Sequence, residues 1–272
     1  SRSQQVPLAA ELRRELKLKL DRLVEEFGDV IFFNLVNAHN SSLAFQADRP
    51  TLQFSGFEAF GITDEAFAAA CDSAFYPKGW ITESLRSVSV HLEDALPVAP
   101  EMPEVNRRAQ THVWADRIDF FAVPRGTDED RAAIHHAFVR EYAAELARDP
   151  AFAANEPNFF RGHMTTTLLR FFNHELGHAI DPTGNNLLTF ESRVEWLCRA
   201  ADAFTDALRH NSPMTQYAAR VKFPENPKTE RFHAMNEWFA ELHEEYLANE
   251  SALKDRFPGE HAFMHAYVTW FD

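Results

Sequence analysis

The 272-residue sequence predicts an α+β fold, with a small mixed sheet in its N-terminal part and a helix-rich C-terminal half. Three observations carry this reading. Short runs rich in β-branched and aromatic residues are confined to the first 123 positions. Apolar residues recur at helical spacing through most of the second half. Between them, Pro97-Val98-Ala99-Pro100-Glu101-Met102-Pro103 sets three prolines in seven residues, which neither a helix nor a central strand absorbs. That stretch is the expected boundary between an accessory α/β region, residues 1–104, and a second domain, residues 105–272.

Element by element, Leu12, Leu16, Leu20, Leu23 and Phe27 share one face of a helix from about Leu8, which Gly28 stops. Strands are expected at Val30 to Val36, Ser42 to Phe45, Leu52 to Phe54 and Val88 to Leu92, with a helix after a Thr63 cap. Past the prolines, Val113 to Val123 reads as a strand. Thr127 caps a helix whose first turn carries Asp128, Glu129 and Asp130, as the helix dipole favours. Four more helices follow, at about His163 to Ile180, Glu191 to Arg209, Ala234 to Asn249 and Gly259 to Phe271.

Composition narrows the function classes. Lys+Arg 27 against Asp+Glu 41 leaves a net charge of −14, and no basic patch offsets it. Such a field repels phosphate backbones and anionic headgroups, so neither a nucleic-acid nor a membrane-surface partner is expected. No window approaches the 18 apolar residues or so of a membrane-spanning helix. Two cysteines, Cys71 and Cys198, are too few for a disulfide framework and leave the compartment open, cytoplasmic or secreted. The start, Ser1-Arg2-Ser3-Gln4-Gln5, lacks Met and reads as processed or trimmed. Phe at 25 predicts an aromatic core.

The segment that carries chemistry is Phe171-Phe172-Asn173-His174-Glu175-Leu176-Gly177-His178-Ala179-Ile180-Asp181. Within a helix, His174 and His178 project from one face and can bind one Zn²⁺, while Glu175, turned about 100° away, can reach a water beside the ion and serve as general base. The apolar neighbours Leu168, Leu169, Phe172 and Ile180 place these polar groups on a mostly buried helix, where they are costly unless satisfied. A third ligand has two candidate sources, the pairs Glu191/Glu195 and Glu237/Glu241. In each, the first carboxylate would bind the ion and the second, one turn on, would orient a ligand histidine. A metzincin arrangement is excluded because its third histidine would fall on Gly184.

The string His174 to Asp181, followed by Asn236-Glu237-Trp238-Phe239-Ala240-Glu241, resembles the catalytic domain of anthrax-lethal-factor-type zinc peptidases and the Pro-Pro endopeptidases. The stretch from Glu237 to Pro258 is also similar to the Mlc titration factor peptidases. The resemblance covers about Phe171 to Pro258. It implies a zincin-like domain of the gluzincin class and a protease with one Zn²⁺ per chain, bound by His174, His178 and Glu237. It further implies Glu175 as the base and Glu241 as a supporting carboxylate, which selects Glu237 over Glu191. Asp181 either supports the site or ends the helix with Pro182. Members of these families include secreted toxins, host-delivered effectors and cytoplasmic regulators.

The sequence departs from that pattern in two places. Where the family carries an oxyanion-binding Tyr seven residues before the ligand glutamate, this chain has Glu230, leaving the role to Tyr217, to His233 or to the metal alone. The separation 237 − 178 = 59 is long for the family and implies an inserted helix around Glu191 to Arg209. The expected function is a Glu-assisted zinc endopeptidase acting on a peptide or protein. The rival is a zincin-fold binding module without catalysis. By fold analogy the strand at Val113 to Val123 would be the substrate-binding sheet edge, with Asp116 and Asp119 favouring basic peptides. His135, His136 and His163 are further candidate contacts.

Overall fold

A computed structural model of the chain describes residues 2–73, 84–91, 109–112, 114, 116–121, 156–218 and 226–270. The expected proline-rich linker, the 104/105 boundary and the helix after Thr127 lie outside these residues. The fold is α+β, rich in helix, with one four-stranded mixed sheet among the described residues. It forms two compact units, Ser1–Pro50 with Gly177–Asp272, and Thr51–Leu176.

The first unit is helical. α1 (Arg2–Phe27) ends as its spacing predicts: Gly28 takes a left-handed φ of 76° and its N–H donates to Val24 O at 2.8 Å. The next segment corrects the sequence reading. Val30 to Val36 and Ser42 to Phe45 are not strands but parts of one helix, α2 (Val30–Asp48). Its buried residues Ile31, Leu35, Ala38, Ser42 and Phe45 recur at steps of four, three, four and three, whereas Phe32, Phe33, Val36 and Leu43 stand exposed. The β-branched and aromatic run obscured a helical period that emerges only over the full 19 residues.

The unit continues through the end of α4 (Glu156–Ile180), α5 (Phe190–Arg209), α6 (Met214–Ala218), α7 (Pro227–Arg256) and α8 (Pro258–Thr269). Thr189 caps α5 by accepting from Ser192 N, and Asn226 caps α7 by accepting from Thr229 N, with Pro227 opening the first turn. α7 is broken at Asn249, whose φ of −154° and ψ of 44° leave the helical region. Trp196, Phe204, Phe232, Trp238, Phe239 and Tyr267 fill the core between these helices, so the phenylalanine excess is spent on packing. α1 joins through Phe27 edge-on to Phe232 and through the pairs Lys19–Glu195, Arg22–Asp202 and Glu26–Arg231. Partly exposed pairs of this kind contribute only about 0–1 kcal/mol each, so apolar contact carries the docking.

The second unit is built on the sheet, in the order β1-β2-β4-β3. β1 (Gln53–Ser55), β2 (Ser87–His91) and β4 (Arg117–Phe121) run parallel, and β3 (Ala109–His112) is antiparallel to β4. α3 (Asp64–Ser73) begins at the expected cap, Thr63 Oγ1 accepting from Ala66 N. Its Phe67 stacks on Phe57 with ring centroids 4.0 Å apart, and Phe54, Phe120 and Phe172 of α4 meet that pair.

Two expectations change here. The predicted Val113 to Val123 strand is shorter, because Asp116 sits in a turn with φ 54°, and it lies inside the sheet; the edge beyond it is β3. Asp116 and Asp119 are both buried, the first bonded to Arg86, the second ringed by His91, His112 and Arg117. Neither carboxylate faces a substrate, and the preference for basic peptides loses its basis.

Candidate metal centre

α4 carries the whole His-Glu-x-x-His segment, and its residues from Gly177 on are counted with the helical unit. One turn apart on it, His174 and His178 present their imidazoles on the same face. Opposite stands Glu237 of α7, its Oε2 3.5 Å from His178 Nε2. The ligand atoms of His174, His178 and Glu237 all lie within 4.8 Å of one another. Bonds of about 2.0–2.1 Å in a tetrahedron separate neighbouring ligand atoms by about 3.4 Å, so this donor set fits Zn²⁺.

Close packing brings α7 to that distance. A Cβ on Gly177 would fall 2.7 Å from Ala240 Cα and 3.2 Å from His243 Cβ, so only glycine lets the two helices approach this closely. The end of α4 is tied down as well. Tyr267 donates its hydroxyl proton to Ile180 O and accepts from Asn185 Nδ2 at 3.0 Å. The loop that follows folds onto Asp181, whose Oδ1 accepts from Thr183 N, Thr183 Oγ1 and Gly184 N at 2.6–2.7 Å. Burial pushes the Asp181 carboxyl up, while these bonds and the nearby His178 pull it down. Asp181 thus organises the loop that follows α4. At Gly184 a Cβ would meet His178 O at 2.6 Å, which explains why no third histidine can occupy the metzincin position.

Glu175 is held by the sheet edge. Thr111 Oγ1 of β3 lies 2.6 Å from Glu175 O and 2.7 Å from Glu175 Oε2, so its single proton is shared between, or alternates between, the backbone carbonyl and the carboxylate. Glu241, one turn beyond Glu237, forms a further group with His174 and Glu244 in which the ligand atoms lie within 4.8 Å. The competing pair is committed elsewhere. Glu191 is exposed in the first turn of α5, and Glu195 bonds Lys19 and Arg199, which hold its carboxyl below the usual range. Among the described residues, no cluster of metal-ligating atoms includes Glu191.

The oxyanion candidates divide. His233 stands four residues before Glu237 on α7, where burial lowers its pKa and Glu237 opposes that shift. Glu230 is in the first turn of the same helix. Tyr217 belongs to α6 and His163 to α4, but the side chains of both lie outside the described residues, as do His135 and His136 entirely. Comparison of the chain with known proteins finds no matching family model, no matching curated protein and no matching solved structure.

Sequence reasoning missed Thr111, which has no local signature, since it meets Glu175 across 64 residues. It also missed the tie from Tyr267 to Ile180. The Gly177/Ala240 approach had a signal, two small residues each one position from a motif residue on the two helices that carry the candidate ligands.

Proposed function

We propose that the chain is a zinc-dependent endopeptidase of the gluzincin class, with a zincin-like arrangement around α4. The observation that supports this best is the convergence of His174, His178 and Glu237 on one point, beside a glutamate oriented by a strand-edge hydroxyl. His174 and His178 would hold zinc as neutral imidazoles, Glu237 would complete the protein ligands, and Glu241 would steady His174. Bound zinc would supply a Lewis acid for water and for the substrate carbonyl. Glu175 would take the proton from the attacking water and return it to the leaving amine. His233, four residues before Glu237, would donate a hydrogen bond to the oxyanion. The substrate would be a peptide segment of a protein. No helix among the described residues is long and apolar enough to cross a membrane.

The test is zinc content of the purified chain, followed by peptide cleavage by wild type and Glu175→Gln. One zinc lost in His174→Ala, with cleavage abolished in Glu175→Gln while zinc is kept, supports the peptidase. Glu230, standing where the resemblance calls for tyrosine, favours a second reading, a binding module without catalysis. Zinc retained with equal inactivity of wild type and Glu175→Gln against a broad peptide library would establish that reading instead.

A further inference from the structure

A second cluster of ligand atoms lies at the junction of α7 and α8 and shares no residue with the first. Glu250 follows the break at Asn249, and His261 and His265 are four residues apart on α8. Their ligand atoms all lie within 4.8 Å of one another. Glu250 Oε1 is 3.1 Å from His261 Nε2 and 3.9 Å from His265 Nδ1. The two imidazoles are nearly parallel, 11° between planes and 5.5 Å between centroids, so both rings present an edge to the same carboxylate. The side chains are also pre-positioned. His261 is 8% exposed and packs on Tyr246, whose hydroxyl lies 3.0 Å from His265 Nδ1, a hydrogen bond that an ion bound at that nitrogen would replace.

We propose that Glu250, His261 and His265 form a second divalent-cation site, which takes a zinc-class ion and clips the end of α7 to α8. The donor set decides the class of ion. Two imidazoles and one carboxylate suit borderline transition metals, whereas Ca²⁺ and Mg²⁺ require a shell of oxygens. The spacing accommodates such an ion with small side-chain adjustments, since the two measured separations bracket the distance of about 3.4 Å between neighbouring ligands of a tetrahedral zinc. The half-exposure of Glu250 and His265 leaves remaining coordination positions to water. Because Glu250 belongs to the last part of α7 and the two histidines to α8, the ion would tie the two helices together across their junction at Phe257.

The site stands independently of the peptidase reading, and its test is arranged accordingly. The chelator-stripped full chain carrying His174→Ala and His178→Ala, which lacks the first site, is titrated with Zn²⁺, then with Mg²⁺. Zinc bound is counted by elemental analysis, and Tm is followed in parallel. The proposal expects one zinc per chain and a Tm that rises with zinc but not with magnesium. Adding Glu250→Ala or His265→Ala, both at half-exposed positions where the fold tolerates truncation, removes the zinc and the Tm response while the Tm without metal stays close to its parent. Wild type correspondingly falls from two zinc ions to one with either substitution. Zinc binding or a zinc-dependent Tm that persists unchanged in both substituted chains would overturn the proposal, as would no zinc bound by the parent. An equal response to magnesium would overturn the assignment of the ion.

Discussion

Gly177 of α4 and Ala240 of α7 meet so closely that a methyl group on the glycine would sit 2.7 Å from the alanine Cα. The obstruction is backbone, not the flexible end of a side chain, so it cannot be relieved by a rotamer change. In an exposed helix Gly→Ala gains about 1 kcal/mol from propensity. Overpacking a tight contact costs typically 1–3 kcal/mol and shifts the backbone. We therefore expect Gly177→Ala to lower stability despite the propensity gain, and to weaken zinc binding by moving His178 away from Glu237. Chemical denaturation and a zinc titration of the same variant check both parts. Unchanged affinity would mean that α7 does not depend on this contact to deliver Glu237.

The Thr111 hydroxyl is the one described hydrogen-bond partner that the sheet edge gives Glu175. Thr111→Val keeps the β-branched shape and removes the bond. Since outer contacts to active groups are worth about 10–100-fold in activity, kcat should fall by that factor with KM and zinc content little changed. Thr111→Ser, which restores the hydroxyl, should recover most of the rate. A structural role alone would instead lower Tm in Val and Ser variants alike.

The legible part of the site is the part that is local. His174, Glu175 and His178 lie within one turn and a half, and the Glu237/Glu241 pair carries its own helical spacing, so four-residue arithmetic places both on faces. What arithmetic could not do was choose between Glu191 and Glu237. That choice depends on which helix packs on α4, and the packing is set by Gly177 against Ala240 rather than by either glutamate. The same limit produced the error over Val30 to Asp48. In Val30 to Val36, six of seven residues are Val, Ile, Phe or Leu, a run that looks alike as a buried strand and as one face of a helix, and only the recurrence of burial out to Phe45 separates them. Sheet order was likewise out of reach. The strand at Arg117–Phe121 became central because Ala109–His112, a polar run with no β signature of its own, pairs along its outer side.

Arg193 is fully buried, and its guanidinium donates to Pro182 O, Asn185 O, Leu188 O and Ser42 Oγ. It gathers the loop that follows α4 and fastens it to α2, so it supports the centre without touching a ligand. Arg193→Met preserves much of the volume but leaves those carbonyls without a donor, at about 1–3 kcal/mol for each group left unsatisfied. Arg193→Lys should fail nearly as badly, because one ammonium cannot span the same acceptors. Both variants should show a Tm loss far larger than any exposed ion-pair deletion, such as Lys17→Ala. A loss of the same size in Lys17→Ala would refute the assignment.

Glu260, buried on the first turn of α8, accepts from Trp238 Nε1 at 2.7 Å and Ser212 Oγ at 2.9 Å through the same oxygen. Burial raises its pKa more than these two bonds lower it. The sign of the consequence follows directly. Between the ordinary carboxyl value and the raised one, the folded chain holds a proton that the unfolded chain has released, so stability falls as pH rises through that interval and levels off above it. Glu260→Gln keeps an acceptor oxygen for both donors and cannot ionise. It should match wild type at the acid end of the interval, exceed it at neutral pH, and lose this component of the pH slope. Glu260→Ala should be less stable at every pH, by about 1–3 kcal/mol, because the buried indole N–H loses its partner. Urea denaturation across the interval distinguishes the three chains. A wild-type slope retained in full by Glu260→Gln would place the titrating group elsewhere.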